Sequence, residues 1–179
     1  LRKEVRDTKA LIRAYPNHGI QARFTNPLGF MAWKYPARNH KKLVVIDDSI
    51  CYTGGLNFSE HNFAWQDMAV RIESPRINKF FIEDFQSTWE GINRSAVLDT
   101  KEVSVMTSDG KRSLDIYDKI YAEIAKAKKT VTIFSPYITD PFLKAMRQSC
   151  RPGVAFRIVS PLLNNKPIPG DYLRFMHEK

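Results

Sequence analysis

The chain has 179 residues and a formal net charge of +9 at neutral pH, enough length for one ordinary domain or for two halves of a larger one. Hydrophobic residues make up 43% of it, which excludes a globally disordered chain. The basic surplus favours a polyanionic partner, without choosing among nucleic acid, anionic lipid headgroups and phosphorylated substrates. No apolar run approaches the roughly 20 residues that cross a bilayer, so no membrane-spanning segment is predicted.

The first hundred residues begin with helical periodicity and continue with strand patterns. Residues 1–15 carry a rough apolar stripe that stops at Pro16, which predicts a helix. Three short strands are predicted next, at residues 20–25, 43–46 and 50–53, followed by one at residues 68–73. A long amphipathic helix is predicted from Pro75 to Gly91. The apolar face of that helix, which we expect in the core, consists of Ile77, Phe80, Phe81, Phe85 and Trp89.

The remaining residues indicate a second unit after a connector at residues 92–101. The predicted elements are a strand at 103–107, a helix at 114–128, a strand at 131–134, a helix at 141–150, a strand at 154–159 and a helix from 171. This alternation predicts an α/β fold with a mixed, largely parallel sheet flanked by helices. We expect two domains, residues 1–100 and residues 101–179, and we expect the second to be truncated.

The two cysteines, Cys51 and Cys150, lie far apart and match no metal-ligand spacing. We interpret them as free thiols, a usage compatible with a reducing or cysteine-poor compartment. The chain opens without an initiator methionine and ends within a helical pattern. We therefore expect a fragment of a longer protein, and the compartment stays unassigned.

A compact set of polar residues surrounds the strand at residues 43–46. His40 and Lys42 are two residues apart, and in an extended segment such side chains point to the same face. Asn57 follows Gly54-Gly55, a pair that permits tight turning and close approach of a ligand to the backbone. Taken singly, each residue has an ordinary structural explanation. Together they suit a tetrahedral phosphate, with His40 as nucleophile or proton carrier, Lys42 as the charge and Asn57 as an amide donor.

The spacing of these residues resembles the HKD signature of the phospholipase D superfamily. That signature is His-x-Lys, four residues, Asp, six residues, Gly-Gly or Gly-Ser, one residue and Asn, and His40 to Asn57 fill every specified position. The resemblance extends over residues 20–161 and is greatest to bacterial cardiolipin synthases and related phospholipases, which share Trp65-Gln66-Asp67 before a strand. It implies a phospholipase D-like αβα sandwich.

The resemblance also implies a reaction. In this superfamily one histidine attacks phosphorus to form a phosphohistidine, and a second histidine protonates the leaving alcohol and then activates water or an acceptor alcohol. Which of these roles falls to His40 stays open. Lys42, Asn57 and Gly55 are expected to bind the phosphate together with His40. Neither a metal nor another cofactor is expected.

Carboxylates and a second histidine are expected near this site. The resemblance assigns Asp67 to the orientation of His40 through its other ring nitrogen, with Glu60 as a weaker candidate. Asp47 completes the catalytic set, with a structural role in holding the loop after its strand. Glu60 and His61 are also candidates to line the cleft.

The sequence departs from the superfamily pattern in one respect. A complete site in this superfamily needs two HKD motifs, and this sequence shows one. The bare His-x-Lys at residues 177–179 is the weakest candidate for the second motif. We expect that motif beyond Lys179, or, as a less favoured alternative, from the partner in a homodimer.

The expected partner is an anionic phospholipid, at a membrane surface, in a cardiolipin synthase or phospholipase D reaction. Three roles stay open for the aromatic loop at residues 30–35: resting on a lipid interface, which we favour, stacking on nucleic-acid bases, or packing on the domain. Two alternatives stay open: a phosphodiesterase acting on nucleic acid, and an inactive module that only binds anionic ligands. The sequence does not decide the head group, the acceptor, or between hydrolysis and transfer.

Overall fold

The computed structural model describes residues 2–14, 19–25, 39–59, 65–110, 114–140 and 142–160. The chain divides into two compact units, Leu1–Ser113 and Leu114–Lys179. Among the described residues, no helix combines the length and apolar character that a bilayer span requires.

The described residues of the first unit form one three-stranded sheet, one hairpin and two helices. Its elements are α1 (Arg2–Ala14), β1 (Leu43–Ile46), β2 (Ile50–Gly54), β3 (Ala69–Glu73), α2 (Pro75–Trp89), β4 (Ala96–Asp99) and β5 (Ser104–Thr107). β2 lies between β1 and β3 and is antiparallel to both, with Cys51 opposite Val45 on one side and Ile72 on the other. β4 and β5 form a separate antiparallel pair.

Helix α2 begins and ends where its sequence predicts. Pro75 occupies the first turn, where the missing N–H costs no hydrogen bond, and the Ser74 hydroxyl accepts a hydrogen bond from the backbone N–H of Ile77. At the other end Gly91 has a φ of +84°, a left-handed conformation that glycine adopts without steric cost. The local sequence therefore fixes where α2 begins and ends.

The core of this unit lies between α2 and the sheet. Its buried apolar side chains are Cys51, Ile77, Phe80 and Phe81. Partly buried side chains from β1, β3, β4 and β5 pack against them, so both strand groups share this core. The expectation that the whole aromatic face of α2 is buried is wrong for Phe85, which is 53% exposed and stacks on Trp89.

The second unit alternates helices and strands: α3 (Leu114–Lys126), β6 (Thr130–Phe134), α4 (Phe142–Ser149) and β7 (Ala155–Val159). β6 and β7 pair in parallel. Ile124 of α3 and Met146 of α4 are buried, and the rings of Tyr117 and Phe142 join the two helices with their centroids 4.4 Å apart.

The mixed α/β class is confirmed. The expected parallel pairing occurs in β6–β7, whereas the other described strand pairs are antiparallel. Two local expectations are wrong: residues 20–25 form no strand, and the connector at residues 92–101 contains β4. The division at residue 100 into two phospholipase D-like halves stays a prediction, and the helix expected from residue 171 lies outside the described residues.

Candidate functional site

The strand register brings three separate segments to one end of the first sheet. Leu43 lies opposite Thr53, and Gly54 lies opposite Ala69. Residues 40–42 precede β1, residues 55–57 follow β2 and residues 67–68 precede β3, so all three segments emerge at that end. We call this group, with Gly54, the site end of the sheet.

His40 and Lys42 contact each other at the site end. The Lys42 Nζ lies 2.9 Å from His40 Nδ1 and donates a 2.6 Å hydrogen bond to the His40 carbonyl oxygen. The Lys42 carbonyl accepts a hydrogen bond of 3.1 Å from the Thr53 hydroxyl, which fixes the backbone against β2. Because an ammonium only donates, Nδ1 is the acceptor in this pair and a neutral imidazole carries its proton on Nε2.

Burial and a nearby carboxylate act on Lys42 in opposite directions. Burial lowers the pKa of Lys42, and the charge of Asp67 partly offsets this by raising it. Asp67 itself is held by the backbone N–H of Met68, which donates to its Oδ1 at 2.8 Å. The charge of Asp67 therefore favours the Lys42 ammonium, and its expected role in orienting His40 stays a prediction.

A side chain at either glycine of the pair would meet close neighbours, which are backbone atoms at Gly54 and a side chain at Gly55. A Cβ on Gly54 would lie 2.4 Å from the Met68 carbonyl oxygen, and the φ of Gly54 is +152°. A Cβ on Gly55 would lie 2.0 Å from Oδ1 of Asp67. The second glycine thus leaves room for the carboxylate that supports Lys42. Asn57 follows two residues later and is partly buried.

Asp47 lies at the other end of β1, in the turn that leads to β2. The strand that separates it from Lys42 places the two residues about 17 Å apart at the usual rise of an extended chain. Asp47 and Asp48 have φ values of +49° and +53°, a region that aspartate tolerates better than most residues. The backbone N–H of Ser49 closes the turn on the Ile46 carbonyl at 3.1 Å. This position supports a structural role for Asp47.

Several predicted residues lie outside the described residues, namely Glu60, His61, the aromatic loop at 30–35 and the His-x-Lys at 177–179. Within the described segments, no group of three or more His, Cys, Asp or Glu side chains could hold a metal ion.

A cavity of about 280 Å³ opens beside Lys42 on the sheet face opposite α2. Its lining is almost entirely apolar and includes Lys42, Val44, Ile46, Tyr52, Leu56 and Phe58. Val44 and Ile46 alternate with the core-facing residues of β1, which explains why they reach this second face. The charged Lys42 side chain therefore lies next to an apolar cavity.

The sequence analysis missed one residue that contacts the motif, Asp84 of α2. It is 2% exposed, and both of its carboxylate oxygens accept hydrogen bonds of 2.8 Å from the Nζ of Lys41. The sequence could have indicated this residue, because Asp84 is an acidic residue one turn beyond Phe80 and Phe81 on the apolar face of the helix.

Comparison with known families defines the class of this domain. The family model described as cardiolipin synthase, PLD-like domain matches residues 3–89. Residues 3–89 therefore match a phospholipase D-like domain, and cardiolipin synthases are among the proteins to which the chain is similar.

Three curated relatives illustrate the similarity. The chain is 24% identical over 183 residues to the minor cardiolipin synthase ClsB of Bacillus subtilis, covering 89% of this chain and 44% of the relative. It is 28% identical over 174 residues to cardiolipin synthase 1 of Bacillus cereus, covering 80% and 34%. It is 29% identical over 143 residues to cardiolipin synthase B of Salmonella typhi, covering 68% and 35%. The chain thus spans less than half the length of these relatives. No solved structure gave a significant match.

Proposed function

We propose that this chain is part of an enzyme that cleaves and transfers phosphodiesters of anionic phospholipids through a phosphohistidine, as cardiolipin synthases and phospholipases D do. The observation that carries the proposal is the site end of the sheet, where the His40–Lys42 pair, Gly55 and Asp67 meet. An imidazole beside an ammonium, with a carboxylate supporting that ammonium, suits nucleophilic attack on a phosphate diester.

Each residue of the site has a defined part in this reaction. A ring nitrogen of His40 forms a bond to phosphorus while the bond from phosphorus to the leaving alcohol breaks. The alcohol oxygen keeps the electron pair and takes a proton from the second histidine, which later accepts the proton of the attacking water or acceptor alcohol. Lys42 and Asn57 bind the non-bridging oxygens. Water or an acceptor alcohol then attacks phosphorus and releases His40. In the alternative assignment His40 is the acid and base, and a second histidine is the nucleophile.

Lys42 links substrate binding to the state of His40. Its ammonium donates to His40 Nδ1 and to the His40 carbonyl in the free site. A bound phosphate offers the same ammonium a negatively charged acceptor, and charge-assisted hydrogen bonds are stronger than neutral ones. Binding of the phosphate therefore frees Nδ1 to meet another proton donor or acceptor.

The apolar cavity beside Lys42 favours a lipid over a nucleic acid as substrate. A phospholipid carries its phosphodiester next to an apolar body, and the cavity adjoins the ammonium in the same way. The basic charge of the chain suits either polyanion and does not discriminate. The relatives named as cardiolipin synthases add weight to the lipid.

The site also needs a second histidine. We propose that it comes from a second motif beyond Lys179, with the same motif in a second copy of the chain as the alternative. Size-exclusion chromatography with light scattering distinguishes these sources, because the alternative requires a dimer.

The decisive test offers the full-length protein two substrates separately: vesicles of phosphatidylglycerol and single-stranded DNA. We expect glycerol release with formation of cardiolipin or of phosphatidic acid, and no DNA cleavage. His40→Ala should lower the rate by roughly 10⁴-fold. Lys79→Ala, which removes an exposed lysine of α2, is the matched control and should leave the rate unchanged.

Two results would contradict this function. Cleavage of DNA alone, abolished by His40→Ala, would establish the nucleic-acid phosphodiesterase. Vesicle binding that is equal in wild type and His40→Ala, with no turnover of either substrate, would establish a module that only binds anionic ligands.

A further inference from the structure

The residue between His40 and Lys42 points away from them and into the protein. Side chains alternate in an extended segment, so Lys41 shares the α2-facing side with Leu43 and Val45. Its Nζ lies 2.8 Å from both carboxylate oxygens of Asp84. The Lys41 side chain is 30% exposed and the Asp84 side chain 3%, so this is a largely buried ion pair.

The buried end of this pair is held rigidly. Asp84 lies on α2 one turn after Phe80 and Phe81, both of which are buried in the core. A buried carboxylate is tolerated only when cations or N–H groups compensate its charge, and Lys41 supplies two such hydrogen bonds. Asp84 therefore has a fixed position relative to the core, and its buried charge is costly unless the Lys41 ammonium stays bound to it.

The other end of the pair lies in a segment without regular secondary structure. Residues 39–42 form no part of β1. Three further described contacts hold their backbone: the Asn39 side chain accepts from the Lys41 N–H at 2.9 Å, the Lys42 Nζ donates to the His40 carbonyl, and the Thr53 hydroxyl donates to the Lys42 carbonyl. The first two are local to the segment and the third joins it to β2. The ion pair joins this segment to α2.

We propose that Asp84 is a positioning residue, which acts through Lys41 to hold the backbone that carries His40 and Lys42 at the site end. The inference rests on the proposed function of those two residues. Asp84 touches no reacting atom in this scheme. Its effect is to remove backbone freedom on both sides of Lys41, so that the imidazole and the ammonium converge on one phosphate.

Two readouts test the proposal, one of which needs no catalysis. The first is the ¹⁵N order parameters of the backbone amides of Lys41 and Lys42, which we expect near 0.85 in the wild type and below about 0.6 in Asp84→Asn. The second is turnover of phosphatidylglycerol vesicles by the full-length protein. We expect a loss of roughly 10- to 100-fold, mainly in kcat, because the groups are misplaced rather than removed.

Two matched variants separate positioning from general stability. Lys41→Arg keeps a cation that can bind both carboxylate oxygens, and should retain the order parameters and most of the activity. Phe81→Leu disturbs the same helix without touching the ion pair, and should leave both readouts unchanged below its melting temperature. If Asp84→Asn fails to fold, Lys41→Gln carries the same test from the more exposed end of the pair.

Unchanged order parameters in both Asp84→Asn and Lys41→Gln would overturn the proposal, as would a loss in Phe81→Leu equal to theirs. If the wild type turns over no phospholipid, the proposed function fails by itself, and the order parameters still decide whether the ion pair holds the segment.

Discussion

Replacing Gly55 by alanine tests whether the second glycine exists to admit a carboxylate. A Cβ there would lie 2.0 Å from Asp67 Oδ1, and ordinary contact begins at 3.4 Å, so the carboxylate must withdraw by about 1.4 Å. Because it is the end of a side chain, it can swing away. In doing so it loses the 2.8 Å hydrogen bond from the Met68 N–H and its proximity to the Lys42 ammonium.

The size of the effect follows from that lost hydrogen bond. A hydrogen bond to a charged group contributes about 1.5–3 kcal/mol, and the exposure of Asp67 places this one at the low end. Asp67→Ala removes the same interaction and should cost a similar amount. In a protein that already lacks the carboxylate, Gly55→Ala meets no clash and should cost almost nothing. The two substitutions should therefore be coupled by about 1–2 kcal/mol.

Urea denaturation of the wild type, both single variants and the double variant measures this coupling directly. Both single variants should also lower the pKa of Lys42 further, because the Asp67 charge now raises it. Free energies of unfolding that add within about 0.5 kcal/mol would refute the reasoning, since the carboxylate would then not occupy the space over Gly55.

Three further predictions concern the first unit. Gly54→Ala should cost about 3 kcal/mol or more in urea denaturation, because its Cβ would meet backbone rather than a movable side chain. Phe81→Ala should cost about 3–5 kcal/mol, whereas Phe85→Ala, at a side chain that is 53% exposed, should cost under about 1 kcal/mol. Burial raises the pKa of Cys51, so Cys150 should react first with a thiol reagent. The free energy of unfolding should fall as pH rises above about 9, because there the unfolded chain releases the Cys51 proton and the folded chain keeps it. The same fall in a Cys51→Ala variant would contradict this.

Most elements of the fold could be predicted from local sequence. The apolar runs of β1 and β2 and the Ser74-Pro75 start of α2 are signals read within a few residues. The two failures have one cause. Residues 20–25 alternate as a strand does, but Arg23 donates to the carbonyl of Trp89 instead of pairing in a sheet, and β4 needs β5 to pair with. Pairing partners are tertiary information that alternation does not contain.

The sequence predicted which residues come to the site end, but not the contacts that hold them there. The spacing from His40 to Asn57 selected His40 and Lys42, which are in contact, and the binding of phosphate by these residues stays a prediction. Neither the Lys42 contact at His40 Nδ1 nor the ion pair of Lys41 with Asp84 follows from spacing, because both depend on where side chains meet in space. An acidic residue on the apolar face of α2 shows only that a cation must lie nearby.

The site end is assembled by the simplest strand order a chain can adopt. β1, β2 and β3 are consecutive in sequence and adjacent in the sheet. His40 and Asp67 are therefore brought to the same end of the sheet by consecutive antiparallel pairings, β1–β2 across a three-residue turn and β2–β3 across residues 55–68. Pairings between consecutive strands close smaller loops than pairings between distant ones and tend to form earlier in folding. During synthesis this sheet can thus take shape while the residues that follow it are still on the ribosome.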